Sequence, residues 1–471
     1  MRLPRRSVER LVAAFGQTEL GDPRRTRRVV QLVERLAQAP HRSLPAALGT
    51  DAQVQGAYRL MNNPAVTFEK LLVPQALATA RRAQEARRVL VISDTTDCSF
   101  PNLDPEDVGF LTTGKAGFRL HVSMVVDADA KRPLGVIHAE TLFRARRSRM
   151  TQKKMSGPET AQQADRESAR WWRGMEASGR ALSAHPHVVH VADREGDSYE
   201  LLARLVEAKQ KFVIRVRVDR RGRAVEADDT SWSTVRKVAA NCDGVLERDV
   251  PLSRRIKKSA PRMNIAHPPR KARVARLRFS AASIVIPRPH YVHEPAPKEL
   301  SLNLVHVTEV DSPEGEPAVE WLLYTNEPTS TPSEIETIVD TYRLRWLIEE
   351  FNGALKTGCV YEEREFESRD ALLTMLALSL PIACEVLWLR SRSRTAADAP
   401  ATEVVTPLQL KILRKLGSYR LPQKPTAQDA MLAVAALGGH LKRNGAPGWK
   451  VIQRGMTDLV AYQRGWEAAT S

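Results

Sequence analysis

The chain has 471 residues, 42% apolar and 27% charged, with a formal net charge of +17. That length argues for two or three domains and that composition for an ordinary globular protein. No run approaches the roughly 18 uninterrupted apolar residues of a membrane span, and the charged start, Met1 to Arg6, leads into an amphipathic pattern rather than a signal-peptide core. Cys98, Cys242, Cys359 and Cys384 lie far apart with no CxxC pair, which speaks against a disulfide framework or a zinc site and for a reducing cytoplasm.

Residues 1–68 read as a small helical module. Gly21-Asp22-Pro23 supplies a helix start, and Arg24, Arg25, Arg27 and Arg28 open a segment in which Val29, Val30, Val33 and Leu36 recur at helical spacing. Asn62-Asn63-Pro64 breaks the pattern. An arginine-rich helix of this kind suits phosphate contact or groove entry.

Beyond residue 85 the pattern changes. Val89 to Ile92 is a short apolar run ending at Asp94-Thr95-Thr96, as a buried strand does. Leu120–Val126 and Pro133–Leu142 are two further strands, 160–182 a helix, Val188–Val191 a strand ending at Asp193, Tyr199–Lys209 a helix and Phe212–Val218 a strand. This order predicts an α/β fold, a mixed sheet flanked by helices in the manner of ribonuclease H. Residues 219–325 carry short strand-like pieces (Val274–Phe279, Ile284–Pro287, Leu302–Val307, Glu320–Tyr324) and read as a β-rich insertion. A helix from Ser333 to Lys356 and a long apolar one, Ala371–Arg390, with Pro381 as an expected kink, follow. Ser391–Thr406 is a linker candidate, and the remainder is predicted helical.

Charge is unevenly spread. Residues 211–290 hold 20 Lys/Arg against 7 Asp/Glu, and the first 50 residues hold 10 against 4. Clustered cations attract polyanions by releasing condensed counterions, so DNA or RNA is the leading partner; a basic solvated surface is the plainer alternative.

Asp94 and Asp193 each end an apolar strand, where ligands of open sheets collect, although strand-end aspartates also serve as helix caps. On the helix after 333, Tyr342, Arg345, Glu349 and Lys356 share one face, while Leu344, Leu347, Ile348, Phe351 and Leu355 share the other. That spacing fits a solvated Arg345–Glu349 ion pair as well as a row of groups facing a nucleic-acid phosphate. Moving a phosphodiester bond requires an activated oxygen nucleophile and a stabilised leaving oxygen. Two divalent ions about 4 Å apart meet both needs, and Mg²⁺ takes carboxylate ligands. Two strand-end aspartates, a helix glutamate and a basic surplus in one chain suit that chemistry.

In these motifs the chain resembles the insertion-sequence-four family of bacterial transposases. Tyr342, Arg345, Glu349 and Lys356 match the family helix Tyr-x2-Arg-x3-Glu-x6-Lys; Asp94-Thr95-Thr96 and Asp193-Arg194-Glu195-Gly196-Asp197 match its two aspartate segments. Leu20 to Thr26, Gly56 to Arg59, Gly438-Gly439 and Gly448-Trp449 match further motifs in order. Leu347 departs from the family by replacing a basic residue, as does the strongly basic loop around Arg144–Lys154.

The resemblance implies a ribonuclease-H-like DDE domain over about 69–390, with the insertion at about 219–325. It places a DNA-binding domain over 1–68 and a helical dimerisation domain over 391–471. It makes Asp94, Asp193 and Glu349 the catalytic residues and ligands of two Mg²⁺ ions, with Mn²⁺ able to substitute. The implied activity is cut-and-paste transposition: nicking, hairpin formation, hairpin opening and strand transfer. Trp321, 21 residues before Tyr342, would stack an extruded base. Tyr342, Arg345, Lys356 and Arg215 would grip the DNA strand, and Arg24, Arg25, Arg27 and Arg28 the terminal repeats. Partners are the terminal inverted repeats, target DNA and a second subunit in a synapse, with no membrane, in a bacterial cytoplasm at the nucleoid. Asp197 is assigned to a capping box that opens the next helix, His121 to the core, and Cys98 to no chemistry. Rival readings are a domesticated DNA binder indifferent to Mg²⁺ and a nuclease that cuts without joining.

Overall fold

The structure is a computed structural model describing residues 3–144, 168–225, 232–252, 255, 268–293, 295–366, 368–395, 397–441 and 446–470. The loop beyond Arg144 and the 160–167 portion of the expected helix lie outside these residues.

Residues 3–83 contain helices α1 (Arg5–Phe15), α2 (Pro23–Gln38), α3 (Leu44–Leu48), α4 (Asp51–Met61) and α5 (Phe68–Ala83). Asp22 caps α2 by accepting from the Arg24 amide at 2.8 Å, and Pro23 occupies the first turn, where its missing N–H costs nothing. Val29, Leu32, Val33 and Leu36 are buried along one stripe, which leaves Arg24, Arg27 and Arg28 exposed on the other. After α4 ends, Asn63 accepts from the Ala65 amide at 3.0 Å and turns the chain.

Among the described residues eleven strands form one sheet: β1 (Val89–Ser99), β2 (Gly117–Asp127), β3 (Arg132–Leu142), β4 (Val188–Ala192), β5 (Lys211–Arg215), β6 (Arg221–Ala224), β7 (Ser233–Thr234), β8 (Leu246–Leu252), β9 (Arg273–Pro287), β10 (Glu299–Glu309) and β11 (Glu320–Thr325). Their order is β3-β2-β1-β4-β5-β11-β10-β9-β6-β7, with β8 also on β9. β1 runs antiparallel to β2 and parallel to β4, and β4 runs parallel to β5. The β-rich segment does not form a separate sheet: β11 pairs antiparallel with β5 and continues the same one. The expected pieces Val274–Phe279 and Ile284–Pro287 are one continuous strand, β9, paired with β10 from Leu277 to Pro287 and with β8 from Arg273 to Phe279. β5 ends sooner than expected because the Arg217 and Val218 amides leave the ladder for the Asp197 carboxylate, at 2.6 and 3.0 Å.

Between strands lie α6 (Ala169–Ala181), α7 (Tyr199–Glu207) and α8 (Val235–Ala240). The helix expected over 333–356 is divided into α9 (Pro332–Arg343), α10 (Trp346–Gly353) and a wider π turn over Ala354–Gly358. At the break the Arg345, Leu347 and Ile348 amides reach only three residues back, to Tyr342, Leu344 and Arg345.

Helix α11 (Arg369–Thr395) contains Pro381 and runs past Ser391 into the stretch expected as a linker. It is apolar and long enough to cross a membrane by composition alone, but 83% of its most apolar stretch is buried inside the protein. The N-terminal helices dock on it: Ser7 donates to Glu385 at 2.7 Å and Arg10 pairs with the same carboxylate at 2.6 Å.

Helices α12 (Pro407–Leu416), α13 (Ala427–Leu437) and α14 (Trp449–Thr470) complete the chain. The end of α13 and α14 meet backbone to backbone. A Cβ on Gly455 would lie 1.8 Å from the Val434 carbonyl oxygen, and one on Gly438 would lie 1.9 Å from that of Val451. Gly455→Ala is therefore expected to cost about 1–3 kcal/mol in urea unfolding, by forcing these helices apart. Gly465→Ala, with nothing within 4 Å, should stay within about 0.5 kcal/mol of the parent; equal effects would refute the close crossing.

Candidate functional site

Strand register brings the two aspartates together. Ile92 on β1 is paired with Val191 on β4, and each aspartate stands two residues further on, at the carboxyl edge of the parallel pair. Asp94 does not end its strand, as the apolar run suggests. β1 continues to Ser99 against β2, and only its pairing with β4 stops at Ile92. Beyond β4, Asp193 begins a short 3₁₀ turn and accepts from the Glu195 amide at 2.8 Å.

The electrostatics record the same proximity. Burial pushes the Asp94 carboxyl up to about 7; the charge of Asp193 adds to this, Arg345 opposes it and Glu349 contributes further. Three acidic groups thus share one electrostatic neighbourhood.

Glu349 lies on α10 and accepts from Arg345 at 2.6 Å, so the ion pair that helical spacing permits is made. The Arg345 guanidinium stands 5.8 Å from the Tyr342 ring centre. Tyr342 is buried, and its ring meets that of partly buried Trp321 edge-on at 5.6 Å. Asn352, three residues after Glu349, donates to Asp94 at 3.1 Å and fastens this helix to β1. Lys356 donates to the Asp97 carbonyl and pairs with Glu362 at 3.3 Å. The α10 end of the row, with Glu349 and Lys356, therefore lies against the strand that carries Asp94, whereas Tyr342 on α9 meets Trp321 of β11.

Beside this row is a cavity of about 270 Å³ lined by Trp321, Arg194, Arg215, Arg255 and Arg270. Its acidic neighbours are already engaged, Glu316 by Arg273 and Glu320 by Arg236 at 2.5 Å. Arg215 donates to the Glu320 carbonyl at 3.2 Å. Arg24, Arg25, Arg27 and Arg28 are not part of this cluster; they occupy the outer face of α2 and its edge, where Arg25 donates to the Leu20 carbonyl at 2.9 Å.

Among the described residues no three His, Cys, Asp or Glu groups are gathered to hold one ion, Glu349 being engaged by Arg345. The donor chemistry nevertheless suits a hard divalent cation. Such an ion needs only one or two carboxylates beside water and phosphate oxygens, and its charge would offset the burial, and after it the Asp193 charge, that raise Asp94.

His121 is fully buried, bonds to the Thr95 hydroxyl at 2.9 Å and has its pKa lowered by burial, so it is a neutral core residue. Asp197 is structural, but it is not the cap. Ser198 caps α7 by accepting from the Leu201 amide, whereas buried Asp197 takes the two amides beyond β5 and the Arg220 guanidinium at 2.6 Å. Buried Cys98 has its thiol pushed up to about 12 by burial, which suits no nucleophilic role. Two further residues at the site escape sequence reasoning. Asn352 has a legible signal, its i+3 spacing from Glu349. Arg170, which donates to Thr95 and Glu195 at 2.8 Å each, has none.

A mixed sheet with paired aspartates at its carboxyl edge, a helix acid across from them and an arginine-lined cavity alongside is an arrangement suited to phosphate chemistry on a polyanion. Comparison with known families makes this specific. A transposase DNA-binding family matches residues 11–66, and a transposase DDE domain matches residues 172–382. The chain thus carries transposase DNA-binding and DDE domains, and the DDE domain is that of an enzyme that cleaves and transesterifies DNA. The DDE domain implies a ribonuclease-H-like core, and enzymes of this kind generally use divalent metal ions. Its matched span contains Asp193 and Glu349; Asp94 lies before it and reaches the site through the pairing of β1 with β4.

The raised Asp94 sets a pH test. Without metal, an ionised Asp94 opposes folding: the penalty is absent below the unfolded carboxyl range near pH 4, grows through the interval and is complete above about pH 7. Thermal melts of Asp94→Asn in chelator should show a gain in Tm over the parent that is small at pH 4 and largest at pH 8. A gain independent of pH would contradict the account of a buried carboxyl raised further by Asp193.

Proposed function

We propose that Asp94, Asp193 and Glu349 are the catalytic triad of a cut-and-paste transposase of the insertion-sequence-four type. The observation that carries the reading is the juxtaposition of two aspartates in register with the Arg345–Glu349 helix, whose residues follow the family order. Asp94 and Asp193, joined by Glu349, would hold Mg²⁺, which supplies an activated oxygen nucleophile and a stabilised leaving oxygen. The protein's own task is to place DNA there. Arg24, Arg25, Arg27 and Arg28 on α2 grip the terminal inverted repeat, within a DNA-binding unit over about 1–68. Arg345, Tyr342 and Lys356 bear on the phosphates beside the cleaved bond, and Arg215 on the neighbouring strand.

Nicking frees a 3′-hydroxyl, which attacks the opposite strand to form a hairpin. Water opens the hairpin, and the 3′ ends then join target DNA. Trp321, at the rim of the arginine-lined cavity and edge-on to Tyr342, stacks the base extruded when the duplex bends into the hairpin. Residues 69–390 form the catalytic unit, and 391–471 pair two subunits so that both ends are processed together.

Incubation with an end duplex and Mg²⁺ tests this. Asp94→Ala, Asp193→Ala and Glu349→Ala should each lower nicking by about a thousandfold or more while end binding persists. Nicking by any of the three at the parental rate would remove that residue from the triad. Trp321→Ala should leave nicking intact and slow hairpin formation about ten- to a hundredfold, the worth of one base–aromatic stack. Equal loss in both steps would make Trp321 a core residue instead. Nicking without end joining would favour a nuclease.

A further inference from the structure

We infer that Arg170 is a positioning residue that, with Glu195, sets the separation of Asp94 and Asp193. The inference rests on the triad reading above. The two aspartates lie just where backbone pairing stops supporting them. The last rung between their strands is Ile92 with Val191; past it β1 pairs only with β2, and the other chain enters a 3₁₀ turn. No ladder bond then fixes one aspartate relative to the other, and ligand spacing is what a metal site requires.

Side chains supply the missing tie. Arg170, at the start of α6 and only 5% exposed, donates through Nε to Oγ1 of Thr95, the neighbour of Asp94, at 2.8 Å. Through Nη2 it donates to Oε2 of Glu195, two residues past Asp193, also at 2.8 Å. One rigid guanidinium thus spans both aspartate segments. Lysine, a point charge on a flexible stem, cannot reproduce that fork. Arg119 on β2 braces the same pair of segments more loosely, 3.4 Å from Glu195 and 3.5 Å from Asp97.

The clamp is anchored from behind. The Thr95 hydroxyl, which accepts from Arg170, is also hydrogen-bonded to Nδ1 of fully buried His121, at 2.9 Å. The His121 ring packs edge-on against Trp171, the residue after Arg170, at 4.9 Å. One turn further along α6, a Cβ on Gly174 would come within 3.0 Å of His121 Nε2, so the helix sits as close to that ring as a glycine allows. Arg170 thereby enters the sheet at a fixed depth. Groups that orient metal ligands in this way typically change metal affinity 10–100-fold when lost.

The test is an Mn²⁺ titration, followed by electron paramagnetic resonance, of the full-length protein on its end duplex, with nicking measured against Mg²⁺ concentration in parallel. Arg170→Lys and Glu195→Gln should each weaken Mn²⁺ binding about 10–100-fold and raise the Mg²⁺ needed for half-maximal nicking by a similar factor. Nicking at saturating Mg²⁺ should largely recover. Glu195→Gln, which removes a charge at an exposed edge of the clamp, carries the test if Arg170→Lys does not fold. Parental Mn²⁺ affinity in the folded variants, or an equal loss of nicking at every Mg²⁺ concentration, overturns the clamp. Asp94→Ala separates the two ideas. If it binds Mn²⁺ like the parent, the triad reading itself fails; if it loses the ion while Arg170→Lys keeps it, the clamp alone fails.

Discussion

The parallel pairing of β1 with β4 is the constraint on which the site depends. Two strands separated by nearly a hundred residues of chain are held so that Ile92 faces Val191, and the carboxylates that follow have nowhere to go but the same edge. A slip of one residue would turn one aspartate to the opposite face of the sheet, since side chains alternate along a strand. Val89 to Ile92 are buried on both faces of the sheet, Leu90 and Ile92 in one apolar cluster and Val89 and Val91 in another, so such a slip would have to repack two cores.

That arrangement concentrates negative charge, and the rest of the site answers it. Arg345 is drawn to Glu349 and opposes the rise of Asp94, Asn352 donates to Asp94, and Lys356 ties the helix to the far end of β1. The break at Leu344 and the π turn after Gly353 change the helix twist, yet they leave these groups against one strand. The arginine-lined cavity next to Trp321 repeats the pattern with opposite sign: Arg194, Arg215, Arg255 and Arg270 line it, while Glu316 and Glu320 pair with Arg273 and Arg236. An acidic centre bordered by a cationic cavity is how a protein holds a phosphate backbone over metal-binding carboxylates.

The β-rich segment acquires its meaning from β11. Because β11 pairs with β5, the segment extends the catalytic sheet, and Trp321 at the start of β11 is delivered beside Tyr342. Asp197 secures the exit of β5 by collecting the Arg217 and Val218 amides and the Arg220 guanidinium. These contacts join the insertion to the segment that follows Asp193.

Much of this was readable in the residues alone. Short-range signals carried it: the apolar run before Asp94, the 3.6-residue stripe of Val29, Val33 and Leu36, the four-residue step from Arg345 to Glu349. Each depends on neighbours close in the chain, so periodicity and motif order report it, and the ordered motifs were enough to point to a DDE transposase. What the tertiary structure decided involves partners far apart in sequence. Only strand pairing could show that β1 runs on past Asp94, that β9 is one strand or that the insertion joins the main sheet, and only the folded chain could bring Asp197 to the Arg217 and Val218 amides. Arg170 is the clearest case. Nothing near it in the chain distinguishes it from the other arginines, and its bond to Thr95 spans 75 residues, a contact that exists only once the helix is laid across the sheet.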